Sequence, residues 1–457
     1  MASEYDIVVL GGGPAGYPAA IRAAQMGARA ALIERDELGG TCLNRGCIPT
    51  KTLHAAAHLI EGVQGGRGRG IAGSVTIDPD ALFDRKGKVV EELVSGVERL
   101  LKGRKVDLIR GEGRITGPRT IDVEGTGSVK GEHLIIATGS SEMSVPGIEF
   151  DGKRVLGSSE LLDLGRIPES LVIIGGGVIG CEFASIFNAF GTKVTIIEML
   201  PRIIATEDSQ ISRYLQTYLK KKGVAVHLGT KVLSTEEGDG YVTARLEDGT
   251  EMAAEYILIS VGRRPNITGI GLEELGIEAE RTGIKVDGAM RTGAGEVYAA
   301  GDVTGGWLLA HVATREGIIA AQNALGEACE IDYSSIPTTI YTLPEISRVG
   351  LSEDDAKEKG IEYSTGRFPF AANGKAKGLG EEDGFVKWLA SKDDGSLLGL
   401  HIIGPQATEL LTAGILAVGR GMKAADFAAS IFPHPTLSES LMEAAEALEG
   451  KAIHLIK

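Results

Sequence analysis

The 457-residue sequence predicts an α/β protein built from two Rossmann-like dinucleotide-binding domains and a C-terminal α+β domain. Three observations predict it. Glycine supplies 65 of the 457 residues, about twice the usual share, without collagen's three-residue period and mostly beside apolar runs. The stretch Tyr5–Glu34 (YDIVVLGGGPAGYPAAIRAAQMGARAALIE) recurs as Glu169–Glu198 (ESLVIIGGGVIGCEFASIFNAFGTKVTIIE). From about Ser335 onward, short strand-like runs give way to apolar helical ones, Thr408–Gly419 and Leu437–Leu448.

The repeat carries most of the argument. At a constant offset of 164 (175 − 11), Gly11, Gly13, Gly16, Gly27 and Glu34 fall on Gly175, Gly177, Gly180, Gly191 and Glu198. A lone GxGxxG is weak in so glycine-rich a chain. Two copies agreeing in strand, turn, helix and terminal acid are strong, although two purely structural βαβ units remain the alternative. In each copy the first glycine makes the turn, the second lets a pyrophosphate approach the backbone, and the third lets the helix lie close to the strand. The helix N-terminus offers unpaired N–H groups to phosphate, and the terminal acid accepts from ribose hydroxyls. Pro18 falls in the first helical turn, where no N–H is missed, so no kink is expected. A weaker echo relates His133–Gly139 to Tyr256–Gly262 at offset 123 (256 − 133), each returning the chain to its own sheet. Two dinucleotide folds in one chain imply electron transfer between two dinucleotides.

Composition narrows the classes. Charge is 47 − 62 = −15, which disfavours nucleic acid and anionic membrane surfaces as partners. No apolar run approaches a membrane span. The acidic start, Met1 to Asp6, has no basic leader and enters a strand at once, so a cytoplasmic protein is expected. Four cysteines, Cys42, Cys47, Cys181 and Cys329, are too few for a secreted disulfide framework. Cys181 reads as core.

Glu198 favours a free 2′-hydroxyl over a 2′-phosphate, and the residues after it contain one arginine, Arg202. The second fold therefore reads as an NAD site, with Arg202 reaching a 2′-phosphate as the alternative. The first fold takes the other dinucleotide; Asp302, after the run Val297–Gly301, suits the polyol chain of FAD. Cys42 and Cys47 stand five apart, a spacing that holds Cα atoms about 8–9 Å apart in a regular helix, beyond disulfide reach. A bridge there needs a distorted helix, which Gly46 permits, and such a bridge in a cytoplasmic protein would be redox-active. Two reduced thiols are the alternative. No second Cys/His cluster at ligand spacing exists, so no metal site is expected. Lys51, one turn beyond Cys47, is placed to lower a thiolate's pKa. His434 lies between Pro433 and Pro435 in rigid, extended chain, five residues before Glu439, a carboxylate able to fix its tautomer.

These motifs together resemble the pyridine nucleotide–disulphide oxidoreductase family and, within it, the lipoamide branch. GGTCLNRGCIPTK (Gly39–Lys51) is similar to the redox-active disulfide motif, and GGGPAG and GGGVIGCE to the FAD and NAD fingerprints. ATGS (Ala137–Ser140), VGRRPN (Val261–Asn266), AGDVTGGWLLAH (Ala300–His311) and HPTLSE (His434–Glu439) match in order along the whole chain. The resemblance implies that Cys42 exchanges with substrate, that Cys47 faces the flavin as a thiolate, and that Lys51 and Glu182 pair beside the flavin and nicotinamide. It implies a His434–Glu439 base supplied across a homodimer. FAD would meet Gly11, Gly13, Gly16, Glu34, Arg35, Gly40, Thr41, Cys42, Lys51, Gly113, Thr138, Gly139, Ser140, Asp302, Leu308, Leu309, Ala310 and His311. NAD would meet Gly175, Gly177, Val178, Gly180, Glu182, Glu198, Val232 and Gly262. The implied domains are 1–143 (FAD), 144–269 (NAD), 270–335 (a central segment completing the FAD domain) and 336–457 (dimerisation).

The implied reaction is oxidation of protein-bound dihydrolipoamide by NAD⁺, with lipoyl domains of 2-oxo acid dehydrogenase complexes or the glycine cleavage system as partners. A reductase of another disulfide, or a structural or nucleotide-sensing flavoprotein, is the alternative. Arg45 departs from the apolar residue several relatives carry between the cysteines. Residues 62–73 read as a glycine-rich loop, and 79–103 as an amphipathic helix.

Overall fold

A computed structural model describes residues 4–65, 70, 73–277 and 279–456. The chain opens with β1 (Glu4–Leu10), α1 (Gly16–Gln25) and β2 (Ala30–Glu34). The helix runs unbroken through Pro18. Next come α2 (Gly40–Arg45), α3 (Cys47–Gln64) and α4 (Pro79–Gly103), the last capped by Asp78 accepting from Ala81 N–H at 3.1 Å. Helix α3 extends to Gln64, into the stretch expected as loop; residues 66–69, 71 and 72 of that stretch lie outside the described residues. Strands β3 (Asp107–Arg110), β4 (Gly113–Gly117), β5 (Thr120–Val123), β6 (Gly127–Ile136) and β7 (Ser140–Glu142) complete the first pass.

The second fold holds β8 (Val155–Leu156), α5 (Ser158–Leu162), β9 (Ser170–Ile174), α6 (Val178–Ala189), β10 (Lys193–Glu198), α7 (Ser209–Lys221) and β11 (Ala225–Leu228). It continues through β12 (Val232–Glu237), β13 (Val242–Leu246), β14 (Glu251–Ala254) and β15 (Tyr256–Ile259). The chain then returns through β16 (Arg263–Pro265), which pairs with β7, then β17 (Ala279–Glu280), β18 (Gly283–Ile284), β19 (Val297–Ala299) and α8 (Ala310–Ala324).

The repeat seen in sequence extends to sheet order. The first sheet has parallel strands in the order β3-β2-β1-β6-β19; the second has β11-β10-β9-β15-β8. The echo segments thus lie at β6 and β15, each beside the fingerprint strand. An antiparallel meander accompanies each sheet, β4-β5 on β6 in one and β12-β13-β14 in the other. The fifth strand differs in origin. It arrives late in the chain in the first sheet and early in the second, because the second fold is inserted within the first. Continuous burial of Ile7 to Leu10 and of Leu171 to Ile174 fits parallel strands covered on both faces.

The C-terminal domain is an antiparallel sheet in the order β20 (Thr338–Ile340), β21 (Glu345–Gly350), β24 (Leu397–Gly404), β23 (Phe385–Ser391), β22 (Tyr363–Pro369). Helices α9 (Glu353–Glu358), α10 (Gly374–Leu379), α11 (Ala407–Gly419), α12 (Ala424–Ala428) and α13 (Glu439–Ala447) flank it. Its core gathers Trp388, Phe368, Phe370, Leu400 and Leu441, and Trp388 Nε1 donates to Leu441 O at 2.9 Å. Phe385 and Ile403 instead join the core of the second fold, so that fold is fastened to this sheet. Among the described residues no helix is long and apolar enough to cross a membrane.

Candidate active site

Both fingerprints pass a space test for a dinucleotide. A Cβ on Gly11 would lie 2.3 Å from Ala137 O, and on Gly175 2.5 Å from Ser260 O. On Gly16 and Gly180 it would lie 1.8 and 2.0 Å from the carbonyls of Gly11 and Gly175. The middle glycines differ. Gly13 meets only Gly40 Cα at 3.8 Å, and Gly177 meets nothing within 4 Å. The first and third glycines are therefore demanded by the protein itself, while the second opens onto space a pyrophosphate fits. The two acids are held alike. Glu34 accepts from Gly12 N–H (2.6 Å) and Asp36 N–H (2.8 Å), and Glu198 from Gly176 N–H (2.6 Å) and Leu200 N–H (2.7 Å). Each carboxylate keeps further lone pairs for ribose hydroxyls.

Other residues expected at FAD converge on the first fingerprint. Gly40 packs on Gly13, and Gly39 N–H donates to Gly12 O at 2.9 Å, setting the start of α2, with Thr41, beside the turn. Helix α8 lies along α1: Thr314 Oγ1 donates to Pro14 O at 3.0 Å, and a Cβ on Gly317 would touch Ala15 O. Leu308 and Leu309 immediately precede α8, which Ala310 begins. His311 Nε2 donates to Pro337 O (2.9 Å), and burial holds its imidazole below the ordinary range. Ser140 Oγ donates to Asp302 Oδ2 at 2.5 Å, and Arg263 donates to Ser140 Oγ and O. Thr138 Oγ1 donates to Asn266 O at 2.9 Å, and Gly139 has φ 71°. Gly113 is packed against Leu10 and Ile33 side chains. Arg35 faces outward in a pair with Glu112 at 3.2 Å. In the second fold Val178 starts α6, buried Val232 starts β12, and Gly262 has φ 122°.

Cys42 lies on α2 and Cys47 begins α3. The two helices break at Gly46, with φ −143° and ψ −109°, so the distortion expected from the spacing is present. A Cβ at Gly46 would press on Thr41 O (3.0 Å) and Cys42 Cα (3.3 Å). The two cysteines are unbridged here, and the Cys42 S–H is placed to donate a hydrogen bond to Cys47. That bond lowers Cys47 to about 7, against burial and with help from Lys51, and the same bond with burial pushes Cys42 up. The pair is thus polarised, with negative charge favoured on Cys47.

Lys51 Nζ lies 3.0 and 2.9 Å from the two oxygens of buried Glu182 on α6, joining the cysteine helix of the first fold to the fingerprint helix of the second. Burial alone would push Lys51 down; Glu182 and Cys47 more than offset it and hold the ammonium above its ordinary range. Tyr341 completes the arrangement. Its N–H donates to Glu182 Oε1 at 2.8 Å, and its ring lies 4.5 Å from Lys51 Nζ. Sequence reasoning missed Tyr341, since nothing local marks it. Arg45 pairs with Asp36.

His434 lies far along the chain on the C-terminal domain, its side chain 78% exposed. Its Nδ1 is 2.8 Å from Glu439 Oε1, while Glu439 Oε2 accepts from Thr436 N–H at 2.8 Å. Glu439 opens α13 as expected, and the hydrogen bonds from Thr436 and His434 hold its carboxyl below the ordinary range against burial. The His-Glu dyad is formed, and among the described residues no contact joins it to the cysteines.

Two dinucleotide folds meeting at a polarised dithiol define a disulfide oxidoreductase. The chain belongs to the pyridine nucleotide-disulphide oxidoreductase family: residues 5–317 match that family and residues 336–445 its dimerisation domain. It is 44% identical to the dihydrolipoyl dehydrogenase of Bacillus subtilis, over 99% of this chain and 100% of the relative. It is 42% identical to that of Thermus scotoductus, over 99% of each. Among solved structures it resembles LpdA from Mycobacterium tuberculosis (29% identity, TM-score 0.91, 98% of this chain and 100% of that one). It also resembles RclA, an HOCl-induced flavoprotein disulfide reductase of Escherichia coli (30% identity, TM-score 0.87, 95% and 98%). The protein is a flavoprotein that uses FAD and NAD.

Proposed function

We propose that this protein oxidises protein-bound dihydrolipoamide to lipoamide with NAD⁺. The observation that carries the reading is the Cys42–Cys47 pair, split across Gly46 and backed by the Lys51–Glu182 bridge that reaches from one dinucleotide fold to the other. Kinship with enzymes named dihydrolipoyl dehydrogenase supports the substrate.

In the oxidised form the two sulfurs are bonded. His434 Nε2 accepts a proton from one substrate thiol, its Nδ1 being held by Glu439. The substrate thiolate attacks Cys42 Sγ, the Cys42–Cys47 bond breaks, and Cys47 leaves as a thiolate favoured by its lowered pKa. The second substrate thiol then attacks the substrate sulfur bound to Cys42 and gives its proton to Cys42 as that sulfur leaves, closing the lipoyl disulfide and leaving Cys42 as a thiol, Cys47 as a thiolate and His434 protonated. FAD, when bound, supplies the conversion of this thiol electron pair into a hydride that NAD⁺ accepts. Lys51 balances the charge on Cys47 once the thiolate has formed.

The domain division 1–143, 144–269, 270–335 and 336–457, the FAD and NAD contact residues, a homodimer in which His434 of one copy serves Cys42 of the other, lipoyl domains as partners and a cytoplasmic location belong to the same proposal. Steady-state comparison of dihydrolipoamide with other dithiols, each with NAD⁺ and NADP⁺, tests it. Dihydrolipoamide with NAD⁺ is expected to give the highest kcat/KM, and Cys42→Ser to abolish it. Undiminished turnover in Cys42→Ser overturns the dithiol route.

A further inference from the structure

We propose that Asp354, on the C-terminal domain, is a specificity-determining residue for the nicotinamide cofactor: it holds Arg202 away from the 2′ position and so keeps the second fold an NAD site. The inference rests on reading that fold as the nicotinamide nucleotide site, and it assigns a role to a residue outside it.

Glu198 ends β10, and Arg202 is the one cation between it and Ser209, where α7 begins. An arginine near this strand end is what accommodates a 2′-phosphate in dinucleotide folds. Here it is already engaged. Arg202 Nη1 lies 3.1 Å from Asp354 Oδ2, and Nη2 donates to Ala205 O at 2.8 Å.

Both sides of this contact are anchored. Ile204 N–H donates to Gly176 O at 2.7 Å, which ties the loop after Glu198 to the fingerprint, and Ser212 Oγ donates to Ile203 O at 2.7 Å. Asp208, one turn on, takes wholly buried Lys387 at 2.6 Å. On the other side, Ser352 caps α9, and its three leading acids each hold a different partner. Glu353 takes Lys387 (2.8 Å) and Gln210 (2.9 Å), Asp354 takes Arg202, and Asp355 faces Arg348 at 3.9 Å. Only Asp354 reaches the turn that follows the ribose acid. Glu198 repels a 2′-phosphate directly, and Asp354 withholds the group that would attract one.

The contact is partly exposed, so its own contribution is modest, on the order of fivefold in an equilibrium. The test uses the FAD-loaded enzyme and reads kcat/KM for NAD⁺ and NADP⁺, together with calorimetric binding of adenosine 2′,5′-bisphosphate. Glu198→Gln is compared with Glu198→Gln/Asp354→Asn and Glu198→Gln/Asp354→Ser, and each double variant with a triple variant adding Arg202→Gln. Both double variants are expected to gain about fivefold in kcat/KM for NADP⁺ and in affinity for the bisphosphate over Glu198→Gln alone, and Arg202→Gln to erase the gain. A double variant that matches Glu198→Gln, or a gain that survives Arg202→Gln, overturns the assignment to Asp354 while leaving the NAD site intact. If Glu198→Gln changes neither cofactor's kinetics, the nucleotide-site reading fails and this inference fails with it.

Discussion

A thiol buried like Cys47 ordinarily stays neutral, and here the hydrogen bond from Cys42 and the ammonium of Lys51 reverse that preference. Because the pKa is lowered, to about 7, the thiolate is present above that pH and lost below it. In reduced Cys42→Ser the serine hydroxyl keeps a donor beside Cys47, so the ultraviolet thiolate absorbance of Cys47 is expected to titrate near pH 7 and to move upward when Lys51→Met is added. A midpoint in the ordinary thiol range, with no response to Lys51, would count against this polarisation. His401 works in the opposite sense. It is fully buried, with Nε2 2.9 Å from Leu351 O, and burial lowers it to about 4 although Asp208 pulls upward. The unfolded chain, with its histidine near 6.5, binds the extra proton between those values, so this contribution is complete above about pH 6.5 and is lost as pH falls toward 4. Between about pH 7 and pH 5 the loss is roughly 2 kcal/mol, and His401→Gln should remove it. Thermal midpoints of the two proteins that fall in parallel over this range would refute the assignment.

At the scale of elements, what was legible in the sequence is what backbone geometry forces on residue type. The two fingerprints could be read because four of their glycines have no room for a Cβ, and the α2–α3 break because a bridge across a five-residue spacing demands a distorted helix, which Gly46 permits. Helix α4 was legible from its amphipathic period. Contacts made across the chain left no local mark. Tyr341 reaches Glu182 from 159 residues away, and Glu353, Asp354 and Asp355 find partners on β23, in the loop after β10 and on β21. The equivalence of the two fingerprints yields a selective prediction. Gly180→Ala would place a methyl 2.0 Å from Gly175 O and push α6 off β9, a disturbance centred on the NAD fold that reaches the cysteine helix through Glu182 on α6. Such overpacking costs about 1–3 kcal/mol. The variant is expected to purify yellow and to be reduced by one equivalent of dihydrolipoamide, yet to turn over NAD⁺ at least about tenfold more slowly. Loss of flavin instead, with NAD⁺ affinity kept, would contradict the division of labour between the folds.

For the whole molecule the question is why a formed His434–Glu439 dyad faces solvent, with no contact among the described residues to the thiols it is proposed to serve. The C-terminal domain also exposes Ile431 completely and Leu416 by 62%, apolar surface that a partner would cover, and residues 336–445 match a dimerisation domain. In a twofold dimer each surface is used reciprocally, so a base on one copy can complete the dithiol site of the other. Loss of a positioned base costs about 10²–10⁴-fold, so His434→Gln should be nearly inactive, as should Cys42→Ser. The two inactive proteins then discriminate between a shared and a self-contained site. In a mixed dimer of a Cys42→Ser copy with a His434→Gln copy, a shared architecture gathers both defects into one site and leaves the other whole. Random re-pairing makes half the dimers mixed, each with one of two sites intact, so an equimolar mixture should recover roughly one quarter of wild-type activity. A self-contained site predicts no recovery at all, because every site then keeps one defect. The measurement is NAD⁺ reduction by dihydrolipoamide after the two proteins are dissociated and reassociated together, set against each reassociated alone.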